Sequence, residues 1–293
     1  MIYRVIGITF LLIQLCIGAP IEMPKKRFPT AIIVGVKKAG TRALLEFLRL
    51  NPHVKAPGPE VHFFDKNFHK GLEWYREQMP LTTSDDVTIE KSPAYFHSKN
   101  APERIKALNP NTKIIIVVRD PITRAISDYT QASSKRKRLG LMPSFEDMAV
   151  GDCAVWLKAN CSSKVRGVNA GWGAIRIGVY HKHMKRWLEH FPFENIHLVD
   201  GEQLIKSPAH EVSATERFLG LKPTVKPSNF GVDPVKKFPC VRRSDGELHC
   251  LGKTKGRPHP DVRPEVLEML KDFYVPENQK FFQMINRRFF WDS

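Results

Sequence analysis

A chain of 293 residues can bury one sizeable core or two small ones, which excludes a mini-protein dependent on staples. Its 46 Lys and Arg against 30 Asp and Glu leave it at +16, a charge that favours a polyanionic partner: nucleic acid, anionic membrane or acidic polysaccharide. The cations are clustered at Lys25-Lys26-Arg27, Lys135 to Arg138, Lys236-Lys237, Arg242-Arg243 and Arg287-Arg288.

The N-terminus chooses among these partners. Arg4 precedes an apolar run from Val5 to Ile17, broken only by Thr9 and Gln14, and Gly18-Ala19-Pro20 follows. That pattern predicts a signal peptide over residues 1–19, with a short signal anchor as the alternative. A short basic segment, 20–27, then leads into one folded domain, 28–293. The expected route is the secretory pathway, ending in the Golgi lumen or outside the cell. That location removes nucleic acid and leaves glycosaminoglycan as the leading polyanion; no protein partner is predicted.

The first predicted element is a buried strand, Ala31 to Val34. It runs into Gly35-Val-Lys-Lys-Ala-Gly-Thr-Arg42 and then a helix carrying Ala43, Leu44, Leu45, Phe47 and Leu48. Strand, glycine-punctuated loop and helix form a phosphate cradle, in which backbone N–H groups and nearby cations face an anion. The spacing from Gly35 to Gly40 matches a P-loop, but Thr41-Arg42 stands where a nucleotide triphosphatase needs Lys-Ser/Thr. The loop is a P-loop relative built for another anion.

Asn51-Pro52 ends that helix, and a loop leads to Glu60-Val-His-Phe-Phe-Asp65. Gly71 to Met79 reads as a short amphipathic helix, Val87 to Lys91 as a strand, and Pro102 to Leu108 as a helix. Lys113 to Val118 is the clearest buried strand. It feeds Arg119-Asp120-Pro121 and a helix bearing Arg124, Ser127 and Tyr129. Ala132 to Asn169 reads as an irregular excursion over the site. Helices are predicted at Tyr180 to Phe191, Glu211 to Leu219 and Pro264 to Phe273, and a strand at Ile196 to Val199. The alternation predicts an α/β fold, a parallel sheet with helices on both faces. Ligands in such sheets bind beyond the carboxyl ends of the strands, where the motifs after Val34, Glu90 and Val118 sit.

Outside the leader the cysteines are Cys153, Cys161, Cys240 and Cys250, an even number suited to an oxidising compartment. Three pairings are open. The local ones, Cys240–Cys250 and Cys153–Cys161, are favoured because short segments meet easily, and Phe238 to His259 reads as a stapled hairpin. The spacings lack the tight pairs of zinc sites, so no metal is expected. Asn160-Cys161-Ser162 is a formal glycosylation sequon.

Taken together, Lys38-Ala-Gly-Thr-Arg42, Glu60-Val-His-Phe-Phe-Asp65, Glu90-Lys-Ser-Pro-Ala-Tyr-Phe96, Val118-Arg-Asp-Pro121 with Ser127-Asp-Tyr129, and Cys250-Leu-Gly-Lys-Thr-Lys-Gly-Arg257 resemble the heparan sulfate glucosamine 3-O-sulfotransferases. The likeness runs from about Phe28 to Trp291. It implies a P-loop-like sulfotransferase fold that uses 3′-phosphoadenylyl sulfate (PAPS) and releases PAP. The acceptor it implies is the glucosamine 3-hydroxyl of heparan sulfate or heparin.

By that resemblance Lys38, Ala39, Gly40, Thr41 and Arg42 hold the 5′-phosphosulfate, with Lys38 near the bridging oxygen. Arg119 and Ser127 take the 3′-phosphate, and Lys255, Gly256, Arg257, Pro258 and His259 cover the nucleotide. Family loops read Lys-Gly-Gly-Thr-Arg, so Ala39 is a departure, tolerable where that residue needs no positive φ. Glu60 is the implied general base, supported by His62 and Asp65. His62 is the rival, because its ordinary pKa lies nearer neutrality. Lys91 with Ser92 and Pro93 faces the acceptor, and Lys66, Ala94 and Trp172 are saccharide contacts by resemblance; a Trp at 172 equally suits packing. Arg138 and its neighbours extend the polysaccharide track. Phe63 and Phe64 are core residues. Two other readings stand beside this one: an N-sulfotransferase, and a secreted heparin-binding protein that kept the fold without catalysis.

Overall fold

The computed structural model describes residues 22–136, 142–152, 166–243, 245–252 and 256–291. Five strands form the central sheet: β1 (Ala31–Gly35), β2 (Val54–Lys55), β3 (Val87–Lys91), β4 (Lys113–Val118) and β5 (Ile196–Asp200). Their order is β2-β3-β1-β4-β5, and every pairing is parallel. Successive side chains point to opposite faces, yet all five residues of β1 and the last five of β4 are buried. Both faces are therefore covered, as near-continuous apolar strands require.

The chain leaves β1 toward β3 on one side and later crosses to β4 on the other. That reversal opens a crevice at the carboxyl end of β1. In register, Ile33 lies opposite both Lys91 and Ile115, and Val118 lies opposite Asp200. Gly35, Lys91, Val118 and Asp200 thus end at one edge of the sheet.

The helices that matter for the site follow in chain order: α1 (Thr41–Leu48), α2 (Gly71–Glu77), α3 (Ala101–Leu108), α4 (Pro121–Arg136), α5 (Phe145–Ala149), α6 (Tyr180–His190), α7 (Gly201–Lys206), α8 (Pro208–Phe218) and α9 (Pro264–Ile285). α1 buries Leu44, Leu45, Phe47 and Leu48 against the sheet, each no more than 1% exposed. A second apolar cluster, with Ala125, Phe145, Ile175, Leu270 and Tyr274, lies where α4, α5 and α9 meet. It fixes the roll of α4 and so the direction of Ser127.

Several expectations are corrected. The helix expected over Pro264 to Phe273 runs on to Ile285, through Pro276. A proline inside a helix costs about 3 kcal/mol, but Asn278, Phe281 and Ile285 continue the buried stripe begun by Val266, Leu270 and Tyr274. Burying Phe281 and Ile285 contributes roughly 2 kcal/mol each, which offsets that cost. The excursion after Ala132 is more regular than its composition suggests. α4 extends to Arg136, α5 starts at a Ser144 cap closed by Asp147, and Val150–Asp152 pairs with Arg166–Val168. Residues 54–55, read as loop, pair with β3 because the edge position tolerates a strand of two residues. Cys240 and Cys250 form the expected disulfide on a hairpin of Pro239–Arg242 with Leu248–His249. Cys153, Cys161, the Asn160 sequon, Arg138, Lys255 and the leader lie outside the described residues.

Candidate active site

A cleft of about 920 Å³ opens at the carboxyl ends of the strands. It is lined along one side by the β1–α1 loop and by Arg119, Ser127, Gly256, Arg257 and His259. Glu60, His62, Asp65, Lys66, Pro93 and Ala94 line another part. Residues more than 200 positions apart, Lys37 and His259 among them, therefore share one cavity.

At the first of these two ends the backbone does much of the work. Gly40 caps α1 with φ 109°, and Lys38 also takes the left-handed conformation, φ 74°. Ala39, 2% exposed, sits between them without a positive φ, so its methyl meets no backbone penalty. This turn presents the N-terminus of α1 to the cleft, where unsatisfied N–H groups favour an anion. Beneath the loop lies Arg124, fully buried, donating to the Lys37 carbonyl (3.3 Å), to the Ala174 carbonyl and to Asp128 (3.1 Å). Asp128 in turn binds the Lys37 ammonium at 2.6 Å. Arg42 is held along α1 by Glu46 at 2.8 Å and donates to the Gly58 carbonyl at 3.2 Å. Arg119, directly after β4, and Ser127, on α4, border the same space. Burial first, then the charges of Arg119 and Lys38, lower the pKa of His259.

The second end is a closed polar network. Lys91 Nζ lies 2.5 Å from Glu60 Oε1, and His62 Nε2 lies 3.2 Å from Glu60 Oε2. Asp65 meets His62 Nδ1 from the other side at 3.1 Å. Hydrogen bonding to His62, with Lys91 behind it, holds the Glu60 pKa at about 2 despite partial burial. The hydrogen bonds to Asp65 and then Glu60 raise His62 to about 9. His62 has φ 53°, a conformation that costs a non-glycine residue energy. Its N–H donates to Ser92 Oγ (2.9 Å), and Ser92 Oγ donates to the fully buried Glu90 (2.6 Å). Burial raises Glu90 to about 7.

Not every expected residue faces the cleft. Lys91, 4% exposed, stands behind Glu60, and Ser92 is wholly buried. Trp172 packs edge-on against Phe145 at 5.6 Å and Tyr129 at 6.4 Å, away from the cavity lining. Pro258 is also off the lining. Phe63 and Phe64 are core, as their composition predicts. The cleft also includes residues the motifs did not single out: His97, Thr130, Gln131, Gly201 and Phe238. Thr130 and Gln131 lie three and four positions after Ser127, one turn along the same helix face, so that spacing could have flagged them. Gly201 opens α7 at the end of β5, a position the strand-end rule marks.

Such a sheet, with a cationic loop at its switch point, is an anion-binding α/β domain, and residues 28–282 match the sulfotransferase domain family, which makes it a sulfotransferase domain. In fold, the chain is similar to a sulfotransferase from Alicyclobacillus acidocaldarius, with a TM-score of 0.65, 20% identity, and 90% of this chain and 98% of that one covered. The mouse heparan sulfate glucosamine 3-O-sulfotransferase 6 is 47% identical over 92% of this chain and 75% of its own length. The chain belongs to the heparan sulfate glucosamine 3-O-sulfotransferase family. It is also 49% identical to the mouse enzyme 3A1 of that family over 92% of its own length, spanning 65% of that longer relative.

Proposed function

We propose that this protein transfers a sulfuryl group from PAPS to the 3-hydroxyl of glucosamine residues in heparan sulfate, with Glu60 as general base. One observation carries the reading: a carboxylate between two cations, Lys91 and His62, shares one cleft with a cationic helix-capping loop. A protein that only bound an acidic polysaccharide would gain nothing from a carboxylate there. The cleft fits the donor's chemistry, since its first end offers the α1 N-terminus, Lys38 and Arg42, with Arg119 and Ser127 beyond. When bound, the donor supplies the activated sulfuryl group; the acceptor oxygen forms the new S–O bond as the bond to the phosphate oxygen breaks.

The residues then divide the work. Lys38 and the free N–H groups that open α1 at Thr41 stabilise charge on the departing phosphate oxygen. Glu60 takes the proton of the acceptor hydroxyl. Each hydrogen bond that the hydroxyl displaces from Glu60 raises the carboxylate's basicity, because those bonds favour its charged form. His62 cannot be the base near neutrality. With its pKa raised to about 9 it is a cation there, with no lone pair to receive a proton. It orients Glu60 instead. Lys66, next to Asp65 and lining the cleft, borders the acceptor side as a contact for sulfate, carboxylate and hydroxyl groups. The predicted leader supports placement in the secretory pathway, Golgi lumen or secreted.

The test is incubation with sulfur-labelled PAPS and heparan sulfate, followed by disaccharide analysis. Label on the glucosamine 3-oxygen is the expected result. Label on nitrogen would make the chain an N-sulfotransferase, and no label with heparin still retained would make it a binding protein.

A further inference from the structure

Arg119 is gripped from two sides. Its carbonyl accepts from the Tyr180 hydroxyl at 2.7 Å, and its Nε donates to Glu202 Oε1 at 3.0 Å. Among the described residues no other side chain hydrogen-bonds its guanidinium, so its two Nη groups are left without a side-chain partner in a residue that lines the cleft. Glu202 does not line that cleft; it reaches Arg119 from the adjoining strand end, because β4 and β5 are neighbours and Val118 lies opposite Asp200.

Glu202 itself is held firmly. Its N–H donates to Asp200 Oδ1 at 2.9 Å, and the Asp200 N–H donates to the buried Glu211 at 3.1 Å. Gly201 beside it packs so closely that a Cβ would stand 2.7 Å from the carbonyl oxygens of both Ala39 and Val118. The carboxylate is therefore mounted on a segment pressed against the donor loop itself. A guanidinium anchored through Nε keeps its paired Nη donors as a fork, the geometry that matches two oxygens of one phosphate.

We propose that Glu202 is a positioning residue that sets the Arg119 fork for the donor's 3′-phosphate, and so sets the preference for 3′-phosphorylated nucleotides. The inference rests on the reading of Arg119 as the 3′-phosphate ligand. It runs against simple charge counting, under which a carboxylate beside an anion site weakens binding. Orientation outweighs that repulsion where the fork has only one productive pose.

The experiment is calorimetric binding of adenosine 3′,5′-bisphosphate and adenosine 5′-monophosphate to the full chain. The readout is the ratio of the two affinities, which general damage to the pocket leaves unmoved. R119A should collapse the ratio. E202A should lower it roughly tenfold, the scale of one charge-assisted hydrogen bond. E202Q, which still accepts from Nε, should hold it within about threefold. The double variant R119A/E202A should match R119A alone, since Glu202 acts only through Arg119. If E202A fails to fold, E202D, one methylene too short, takes its place with the same expected loss. Equal weakening of both ligands by E202A would reduce Glu202 to structural support and overturn the proposal, as would tighter bisphosphate binding. An unchanged ratio in R119A would instead remove the pocket assignment, and the inference with it. A ratio lost in R119A but kept in E202A would sink the inference alone.

Discussion

The two ends of the cleft solve charge in opposite ways. At the donor end, Arg119 is held by its flank, bound through Nε, with no other side chain among the described residues on its guanidinium. At the acceptor end, Glu60, His62, Asp65 and Lys91 close on one another. In the proposed function the open guanidinium binds a preformed dianion, and the closed network holds one carboxylate in the charged form until an acceptor hydroxyl enters. Binding and proton transfer then fall to different places, and variants should separate them.

The sharpest separation is Glu60→Gln. Loss of a general base costs about 10²–10⁴-fold, so turnover should nearly vanish, while calorimetry should find donor affinity within about twofold of wild type. Near-normal turnover would remove Glu60 from the chemistry. The converse is Arg119→Ala, for which donor affinity should fall roughly 10–100-fold, as for loss of a charged fork. Its elution salt from immobilised heparin should stay the same; a large change there would mean that the two ends are not separate.

A smaller effect concerns pH. Glu60 ionises above about 2, and His62 stays charged below about 9. The kcat/KM profile should be flat between and fall several-fold on the alkaline side as His62 loses its proton. His62→Gln should erase that limb; a rise in rate through pH 9 in the wild type would make His62 the base. The same shifts act on stability. The lowered Glu60 contributes above its ordinary 4.5 and is lost as pH falls toward 2, whereas the raised His62 contributes fully below 6.5 and is lost as pH rises through about 9. The smallest effect is Gly201→Ala. Its Cβ would crowd two backbone carbonyls, for a loss of roughly 1–3 kcal/mol, read as a drop of several degrees in Tm. Donor affinity should weaken with it, because one of those carbonyls belongs to the donor loop.

Much of this was legible beforehand wherever a pattern repeats locally. β3 and β4 begin and end at the residues expected from the sequence, Val87–Lys91 and Lys113–Val118, and β1 runs one residue past its expected end, to Gly35. The loop at residues 37–42 was readable as an anion cradle because glycine, cations and a following helix are adjacent in the chain. Long-range placement was not legible. Trp172 fits a sugar platform or an aromatic cluster equally well in sequence, and only its neighbours Phe145 and Tyr129 select packing. Lys91 reads as an exposed cation at a strand end, yet it is buried behind Glu60.

The sequence by itself determined the α/β alternation, the cradle after the first strand and the stapled hairpin, since each follows from local periodicity or short loop closure. Only the tertiary structure decided that Arg119 bonds to Glu202, 83 residues away, that Asp128 holds Lys37, and that Lys38 and His62 adopt left-handed backbone. The physical reason is that side-chain pairing and strained dihedrals depend on which strand ends become neighbours. That adjacency is set by sheet order, β2-β3-β1-β4-β5, which no single segment encodes.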